Sequence, residues 1–323
     1  MNSFGRIFKI SIFGESHGTL VGVCIDGCRH GIELCENDFS DAIQRRKSGK
    51  QGTSLRIEPD IPEIASGVFN GFTTGAPITI LFKNQNAQSE DYLQHKTIPR
   101  PSHADFVAMK KFDGFNDYRG SGHFSGRLTL PLVAAGLVAK KNIPDIIINA
   151  KIIEAGGETD INAMIEKTVN DGDSAGGIIE CIAKNIPVGL GEPFFDSIES
   201  QIAHLAFSIP AVKGIEFGAG FLSAKMRGSE HNDIITNENG KTATNNSGGV
   251  AGGITNGNDL TFRIAVKPTS SIAKNQKTFD FKNKKISDLK IHGRHDSCIA
   301  LRIPVIVEAI TAIALADFIL LKK

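Results

Sequence analysis

"FGRIFKISIFGESHGTLVGVCIDG", residues 4–27, contains a pattern with two incompatible readings. Gly14-Glu15-Ser16-His17-Gly18 fits G-x-S-x-G, the nucleophile elbow of serine hydrolases, which requires a strand, a sharp turn and then a helix. The residues before the turn read as a strand. Those after it, "TLVGVCIDG", alternate as well, carry Val, Cys and Ile, and end in Asp-Gly, so they read as a second strand entering a turn. Strand, turn and strand make a hairpin. The context an elbow needs is missing, which argues against Ser16 as a nucleophile. Ser16 and His17 are left on a glycine turn, where small neighbours allow a ligand close to the backbone. Taken alone, His17 also fits a histidine hydrogen-bonded within a tight turn.

Working outward, Asn37 or Asp38 is expected to cap a helix running through Arg46, with Gly49 ending it. "EIASGVF" and "PITILF" read as strands around a "TTGA" turn. "HADFVAMKKF" reads as a short helix opened by Pro101-Ser102, and "GRLTLPLVAAGLVAKK" as a longer one with Pro131 as an interior irregularity. "IIINAKIIEAGG" and "GIIECIAKNIP" are strands flanking a short helix near 161–170. "DSIESQIAHLAFSI" is an amphipathic helix capped by Asp196, and "DLTFRIAVKP" is a strand. Strands and helices mix without a regular βαβ repeat, which predicts an α+β fold. No low-complexity linker divides the chain, so residues 1–323 are expected to form a single domain.

The closing stretch "PVIVEAITAIALADFILL" (304–321) is apolar nearly all round but carries Glu308 and Asp317. That composition fits a buried helix better than a membrane span. Charge is balanced, 36 Lys and Arg against 35 Asp and Glu, so no general nucleic-acid binder is expected and anion recognition must come from local clusters. Five cysteines without metal-ligand spacing, behind an N-terminus lacking a signal-peptide core, point to a reducing cytoplasm and no metal site.

Such clusters occur. "QRRKSGK" (44–50) places Arg45, Arg46 and Lys47 at a helix C-terminus, and "RPSHAD" (100–105) sets Arg100 and His103 near a helix start. "YRGSGHFSGR" (118–127) brings Arg119, His123, Ser125 and Arg127 onto a glycine loop, while "GRHD" (293–296) joins Arg294, His295 and Asp296. "NNSGGVAGGITNG" (245–257) and "KPTSS" (267–271) match neither a P-loop nor a dinucleotide fingerprint, yet suit phosphate contact through backbone N–H groups, Lys267, Thr269 and Ser270. Each cluster alone is compatible with a surface loop. Together they suit a small polyanionic ligand gripped by arginine, with histidine moving protons. A non-catalytic binder of flavin or nucleotide phosphate would need only the glycine region.

Read in order, these blocks resemble the chorismate synthase family. The series runs from "FGRIFKISIFGESHG" through "RRKSG", "SGVFNGFTTGAPI", "RPSHADF", "DYRGSGHFSGR", "GDSAGG", "PVGLGEPFFD", "SIPAVKGIEFGAGF", "GGVAGGITNG", "KPTSSI" and "GRHDSC" to the last helix, covering essentially the whole chain. The resemblance implies a sandwich of antiparallel sheets around a helical layer, assembled as a homotetramer. It implies a 1,4-elimination of phosphate and a proton from 5-enolpyruvylshikimate 3-phosphate, giving chorismate, with reduced FMN required and no net redox change. His17 then corresponds to an acid keeping the reduced flavin protonated, His103 to the acid assisting phosphate departure, and Asp296 to the carboxylate involved in removing the C6 proton. Ser16, Arg46, Arg100, Arg127 and Arg294 correspond to substrate contacts. His123, Phe124, Ser125, Ala211, Gly252, Lys267, Pro268, Thr269, Ser270, Ser271 and Arg294 correspond to flavin contacts, and Arg46 also to a contact for NADPH as reductant. The chain departs from the family where many members carry Arg-Ser-Ser and it has His123-Phe124-Ser125, and where Pro210 replaces a common Asn.

Overall fold

The computed structural model describes residues 2–54, 56–86, 90–291 and 295–322. The opening hairpin is present. Ser3–Phe4 (β1), Lys9–Gly14 (β2) and Leu20–Asp26 (β3) are followed by Glu63–Ser66 (β4), the short strands Val68–Phe69 (β5) and Phe72–Thr73 (β6), and Ile78–Lys83 (β7). Five of these form one sheet in the order β1-β2-β3-β7-β4, every neighbouring pair antiparallel. Period-2 patterning sets its inner face: Val21, Val23, Ile25, Ile78, Ile80 and Phe82 are all fully buried.

The second sheet has four strands. Ile147–Ala155 (β8), Gly177–Lys184 (β9), Val212–Phe217 (β10) and Leu260–Val266 (β13) lie in the order β10-β13-β9-β8, again antiparallel throughout. Two-stranded ribbons complete the strands: Val250–Ala251 (β11) with Ile254–Thr255 (β12), and Gln276–Asp280 (β14) with Lys285–Leu289 (β15).

Between the two sheets lie helices. Of Ser40–Arg46 (α1), Asp105–Lys111 (α2), Thr129–Asn142 (α3), Ile161–Asn170 (α4), Ile198–Ala206 (α5), Gly228–His231 (α6) and Pro304–Leu321 (α7), it is α3 that packs on β2, β3 and β7. Helix α7 packs on β8 and β9 and also meets α3, with α1 and α5 alongside. This is the expected α+β sandwich, two antiparallel sheets about a helical layer. At the α3–α7 crossing, a Cβ on Gly136 would stand 2.3 Å from the Cβ of Ala309, so glycine sets how closely the two backbones approach. Each isoleucine fully buried in this layer contributes about 1.5–3 kcal/mol of transfer free energy.

Helix α7 is long and apolar enough to cross a membrane, but 78% of it is buried inside the chain, and its two acids explain why it stays there. Asp317 accepts backbone N–H bonds from Arg6, Ile7 and Phe8 at 2.7–3.0 Å, tying β2's lead-in to the helix. Glu308 meets Arg45 at 2.6 Å and Lys140 at 2.9 Å, and accepts from the Ala150 N–H at 3.1 Å.

Three local expectations are corrected and one strand was not foreseen. Neither Asn37 nor Asp38 caps α1: both lie inside the single tight turn Glu36–Phe39 that leads into it. Pro131 is no irregularity: it falls in the first turn of α3, where its missing N–H would have had no helical partner. The cap of α5 is Ser197, whose hydroxyl accepts from the Ser200 N–H at 3.0 Å, while Asp196 bonds Arg6 and Gln201 instead. Strand β10 was not anticipated, because Lys213, Gly214 and a register shift between Val212 and Gly214 break its apolar alternation.

Candidate active site

The hairpin turn is fixed before it does anything chemical. Gly14 has φ +96°, and a Cβ there would lie 2.3 Å from the Leu20 carbonyl oxygen, so glycine is required for the chain to turn back into β3. The Asn84 amide donates to the carbonyls of Glu15 (3.0 Å) and Gly18 (2.8 Å), clamping the turn from β7's end. The Ser16 N–H donates to the Gly122 carbonyl at 3.0 Å, which joins the turn to the glycine loop. The Ser16 hydroxyl is buried and accepts from the Arg56 guanidinium at 2.9 Å. A serine oxygen held as acceptor by a cation, on a turn leading into a strand, is not an activated nucleophile.

His17 packs under that loop. A Cβ on Gly120 would stand 2.5 Å from the imidazole, so only glycine leaves room for the ring. Burial, and then the charges of Arg56 and Arg119, push the His17 pKa down to about 4. The ring is therefore neutral at pH 7.

The "RPSHAD" stretch folds onto itself ahead of α2. Both carboxylate oxygens of Asp105 engage Arg100, at 2.8 Å from Nε and 2.8 Å from Nη2, and one lies 2.7 Å from His103 Nδ1. His103 Nε2 is 3.2 Å from the Ser121 hydroxyl, and Arg100 reaches Ser271 at 3.0 Å and Ser121 at 3.2 Å. Ser121 lies between Gly120 and Gly122, and all three have positive φ; for serine this is an uncommon backbone state that aims its hydroxyl at His103. Burial pushes the Asp105 carboxyl up, but its bonds from Arg100 and His103 outweigh this and hold it below the ordinary carboxylate range. Burial pulls the His103 pKa down, and the bond to Asp105 partly restores it.

A second cluster sits opposite. Arg46, buried, donates from Nε to Thr129 at 3.0 Å and from Nη2 to the Gly126 carbonyl at 3.0 Å; burial, with Arg302 and Arg127 nearby, brings its pKa down to about 9. Asp60 pairs with both Arg46 and Arg127. Arg127 also donates from Nε to Asn84 at 2.9 Å, and its Nη2 is buried without a hydrogen-bond partner. Asp296 accepts from the Ser54 N–H at 3.0 Å and meets Arg302 at 3.3 Å; Arg302 in turn donates to the Arg46 carbonyl.

These groups face one cavity of about 560 Å³, within the range of small-molecule sites. Of the residues expected from sequence, Ser16, Arg46, Arg100, His103, His123, Phe124, Ser125, Arg127, Ala211, Lys267, Thr269, Ser270, Ser271 and Asp296 line it, and His17 sits directly behind Gly120. Lys267 donates to Ser270 at 2.8 Å, and the Thr269 hydroxyl is buried with no hydrogen-bond partner. Ser125 caps a single turn by accepting from the Arg127 N–H at 3.2 Å. His123 braces the wall: its Nδ1 donates to the Gly14 carbonyl at 2.8 Å, so the departure from the family pattern is absorbed as a link between loop and hairpin.

Two expected residues are not brought to this cavity. Gly252 lies on an exposed turn between β11 and β12, and Pro268 is not among the lining residues although its neighbours are. Arg294 lies outside the described residues. Arg45 and Lys47, grouped with Arg46 in sequence, part from it: Arg45 pairs with Glu308, and Lys47 donates to the Pro59 carbonyl while lining the rim.

Sequence reasoning missed "RIEPD" (56–60), which supplies Arg56, Glu58 and Asp60 to the wall. Burial pushes the Glu58 carboxyl up, but N–H donors from 85 and 86 and the Arg56 guanidinium outweigh this and hold it low. Alternating charge in a stretch without helical or strand periodicity was the available signal. Among the described residues no group of three or more His, Cys, Asp or Glu is placed to hold a metal ion.

Comparison with known proteins bears on this geometry as a whole. The family described as chorismate synthase matches residues 8–320. The chain is similar to the chorismate synthase of Chitinophaga pinensis, 59% identical over 324 aligned positions that cover 100% of this chain and 98% of the relative. It is also similar to that of Dehalococcoides mccartyi, 44% identical over 99% of this chain and 96% of the relative. A crystal structure of chorismate synthase superposes with a TM-score of 0.77 at 26% identity, covering 99% of this chain and 93% of that one.

Proposed function

Because this chain belongs to the chorismate synthase family, whose members are lyases of aromatic biosynthesis, we propose that it converts 5-enolpyruvylshikimate 3-phosphate to chorismate by anti-1,4-elimination, with reduced FMN required. The observation that carries this reading is the convergence of Arg46, Arg56, Arg100, Arg127, His103 and Asp296 on one cavity, with His17 behind its floor. A substrate with one phosphate and two carboxylates matches that cation set.

Within this reading the chain's own groups divide the work. Arg100 and Arg127 hold anionic groups and fix the ring's orientation, while Arg56 sets Ser16 and the local potential. As the bond from carbon to phosphate oxygen breaks, its electron pair leaves with the phosphate, and protonated His103 gives that oxygen the proton at Nε2. Asp296, held by the Ser54 N–H and Arg302, is the carboxylate that assists removal of the C6 proton. The neutral ring of His17 takes up a proton as the anions arrive and keeps it beside the cofactor.

Residues of the wall fit FMN: Lys267, Ser270 and Ser125 offer polar groups for a phosphate and a polar ring edge, with Thr269 and Ala211 lining the same wall. Bound reduced flavin supplies electron density that eases phosphate departure and is regained by the end of the cycle. NADPH is the candidate reductant for the flavin. The family reading carries a homotetramer with it, and Phe194, Phe195 and Phe221 are apolar side chains exposed on the single chain.

The deciding experiment is anaerobic turnover of 5-enolpyruvylshikimate 3-phosphate with chemically reduced FMN, following chorismate by its diene absorbance, beside an arm holding oxidised FMN and NADPH alone. Chorismate in the first arm is expected, and the second reports self-reduction. Folded, flavin-binding protein that makes no chorismate in either arm would overturn the reading.

A further inference from the structure

We propose that Asp105 is a positioning residue for the proton donor: it holds His103 as the Nδ1–H tautomer, so that Nε2 is the nitrogen presented to the leaving phosphate. The inference rests on the reaction proposed above for its consequence, but not for its geometry.

Two groups compete for His103 Nδ1. The Asp105 carboxylate lies 2.7 Å away and the Arg100 Nη2 3.2 Å away. A guanidinium can only donate and a carboxylate can only accept, so the two demand opposite tautomers. The shorter, charge-assisted contact decides, and Arg100 does not need the alternative: its Nη2 already has Asp105 at 2.8 Å and Ser121 at 3.2 Å. With the hydrogen on Nδ1, Nε2 of the neutral ring is an acceptor, and the Ser121 hydroxyl 3.2 Å away donates to it in the free protein.

Position separates Asp105 from the substrate. His103, Ser102 and Ala104 line the main cavity, whereas Asp105 lines a second one of about 270 Å³ behind His103. The carboxylate thus acts through the imidazole. It remains ionised throughout: when the bond from carbon to the phosphate oxygen breaks and its electron pair leaves with that oxygen, the proton on Nε2 of the imidazolium passes to it and the ring is left neutral with Nδ1–H still donated to Asp105. Of the charged groups with the largest influence on His103, Asp105 is the anion and Arg100 and Lys267 are cations; His95, Lys96 and Asp117 share the second cavity with it. Asp105 offsets the burial and neighbouring positive charge that disfavour the imidazolium. The same carboxylate fixes Arg100, so its loss has two separable effects.

Nitrogen-15 NMR of histidine-labelled wild-type protein, with His103 assigned by its absence in His103→Ala, is expected to show Nδ1 protonated and Nε2 unprotonated in the neutral ring. The opposite tautomer overturns the proposal whether or not Asp105 variants fold and whether or not chorismate is made. In turnover, Asp105→Asn is expected to lower kcat about 10²-fold and move the alkaline limb of its pH profile, where the protonated donor is lost, down by about one unit or more. In a His103→Ala background the same change is expected to alter kcat less than about twofold while still raising KM through Arg100. An equal kcat loss in both backgrounds, or an unmoved pH profile, would mean that Asp105 is merely structural. Absence of chorismate from wild type would instead fail the proposed reaction and leave the tautomer to be judged by NMR alone.

Discussion

Arg45 and Arg46 are adjacent in α1 and end in two different kinds of charge cluster. Arg45 leans across the helical layer to Glu308, which also holds Lys140 and the Ala150 N–H. Burial pushes the Glu308 carboxyl up, but the two cations outweigh it and keep it ionised. Both cations remain partly in water, so this cluster is complete and needs nothing further. Arg46 turns the other way, into a wall where Arg46 and Arg127 share the single carboxylate of Asp60 and one guanidinium nitrogen has no partner. Burial alone does not distinguish the two. What marks the functional cluster is its place on the cavity wall with more guanidinium than carboxylate: Arg46 and Arg127 line the cavity, share Asp60, and leave one Arg127 nitrogen without a hydrogen-bond partner.

The contrast predicts opposite signatures for mutations in the two clusters. Arg127→Lys keeps the charge facing Asp60 but loses the fork and the open Nη2. Its kcat/KM for 5-enolpyruvylshikimate 3-phosphate is expected to fall about 10²–10³-fold, with a smaller stability loss of about 1–2 kcal/mol from the buried bond to Asn84 that Lys gives up. Full activity would show that the open donor is not used. Glu308→Ala is the mirror image. It strands the Ala150 N–H and leaves a void under α7, for an expected loss of about 3 kcal/mol of stability, while kcat/KM of the folded protein stays within about twofold. A kinetic defect there would join the two clusters that the geometry keeps apart.

How far the sequence anticipated this division depended on distance along the chain. "RPSHAD" was readable because Arg100, His103 and Asp105 lie within six residues and turn onto one another at a helix start. The hairpin was readable because alternation on both sides of a glycine turn has one structural solution. The Arg56–Ser16 and Arg127–Asp60 contacts were not, since their partners lie 40 and 67 positions apart and nothing local specifies the pairing. Gly120 shows the intermediate case: its loop was marked as special by composition, but only the fold reveals that a side chain there would collide with His17. Gly252 is the reverse, a glycine in a telling motif that the fold sets on an exposed turn.

Titration separates the clusters with a smaller effect. His17 and His95 are both buried and titrate near pH 4, against about 6.5 when unfolded. Between those values the unfolded chain binds more protons, so each histidine lowers folding stability as pH falls. From pH 7 to 5 the loss is about 1–2 kcal/mol per histidine. Glu308, Glu58 and Asp105 titrate below their ordinary values, so their stabilising contributions persist over this window and fade only at lower pH. His95→Gln and His17→Gln should each flatten the slope of stability against pH. Substrate should flatten it further in wild type by drawing a proton onto His17, but not in His17→Gln. A slope untouched by both variants would place the titrating groups elsewhere.

The smallest effect makes the sharpest comparison, because it concerns the neighbour of a cavity residue. Arg45→Ala removes one cation from Glu308, but Lys140 and the Ala150 N–H remain, and the Arg45 side chain is 40% exposed, so its pair is screened much as a surface ion pair is. We expect a stability loss of about 1 kcal/mol or less and no change in kcat or KM beyond about twofold. If Arg45→Ala instead raised KM tenfold, the basic end of α1 would act on the ligand as one field, and the wall of Arg46 and Arg127 would lose its standing as the feature that separates site from scaffold. If kinetics are unchanged, two adjacent arginines of one helix will have been assigned to separate tasks by the direction each side chain faces.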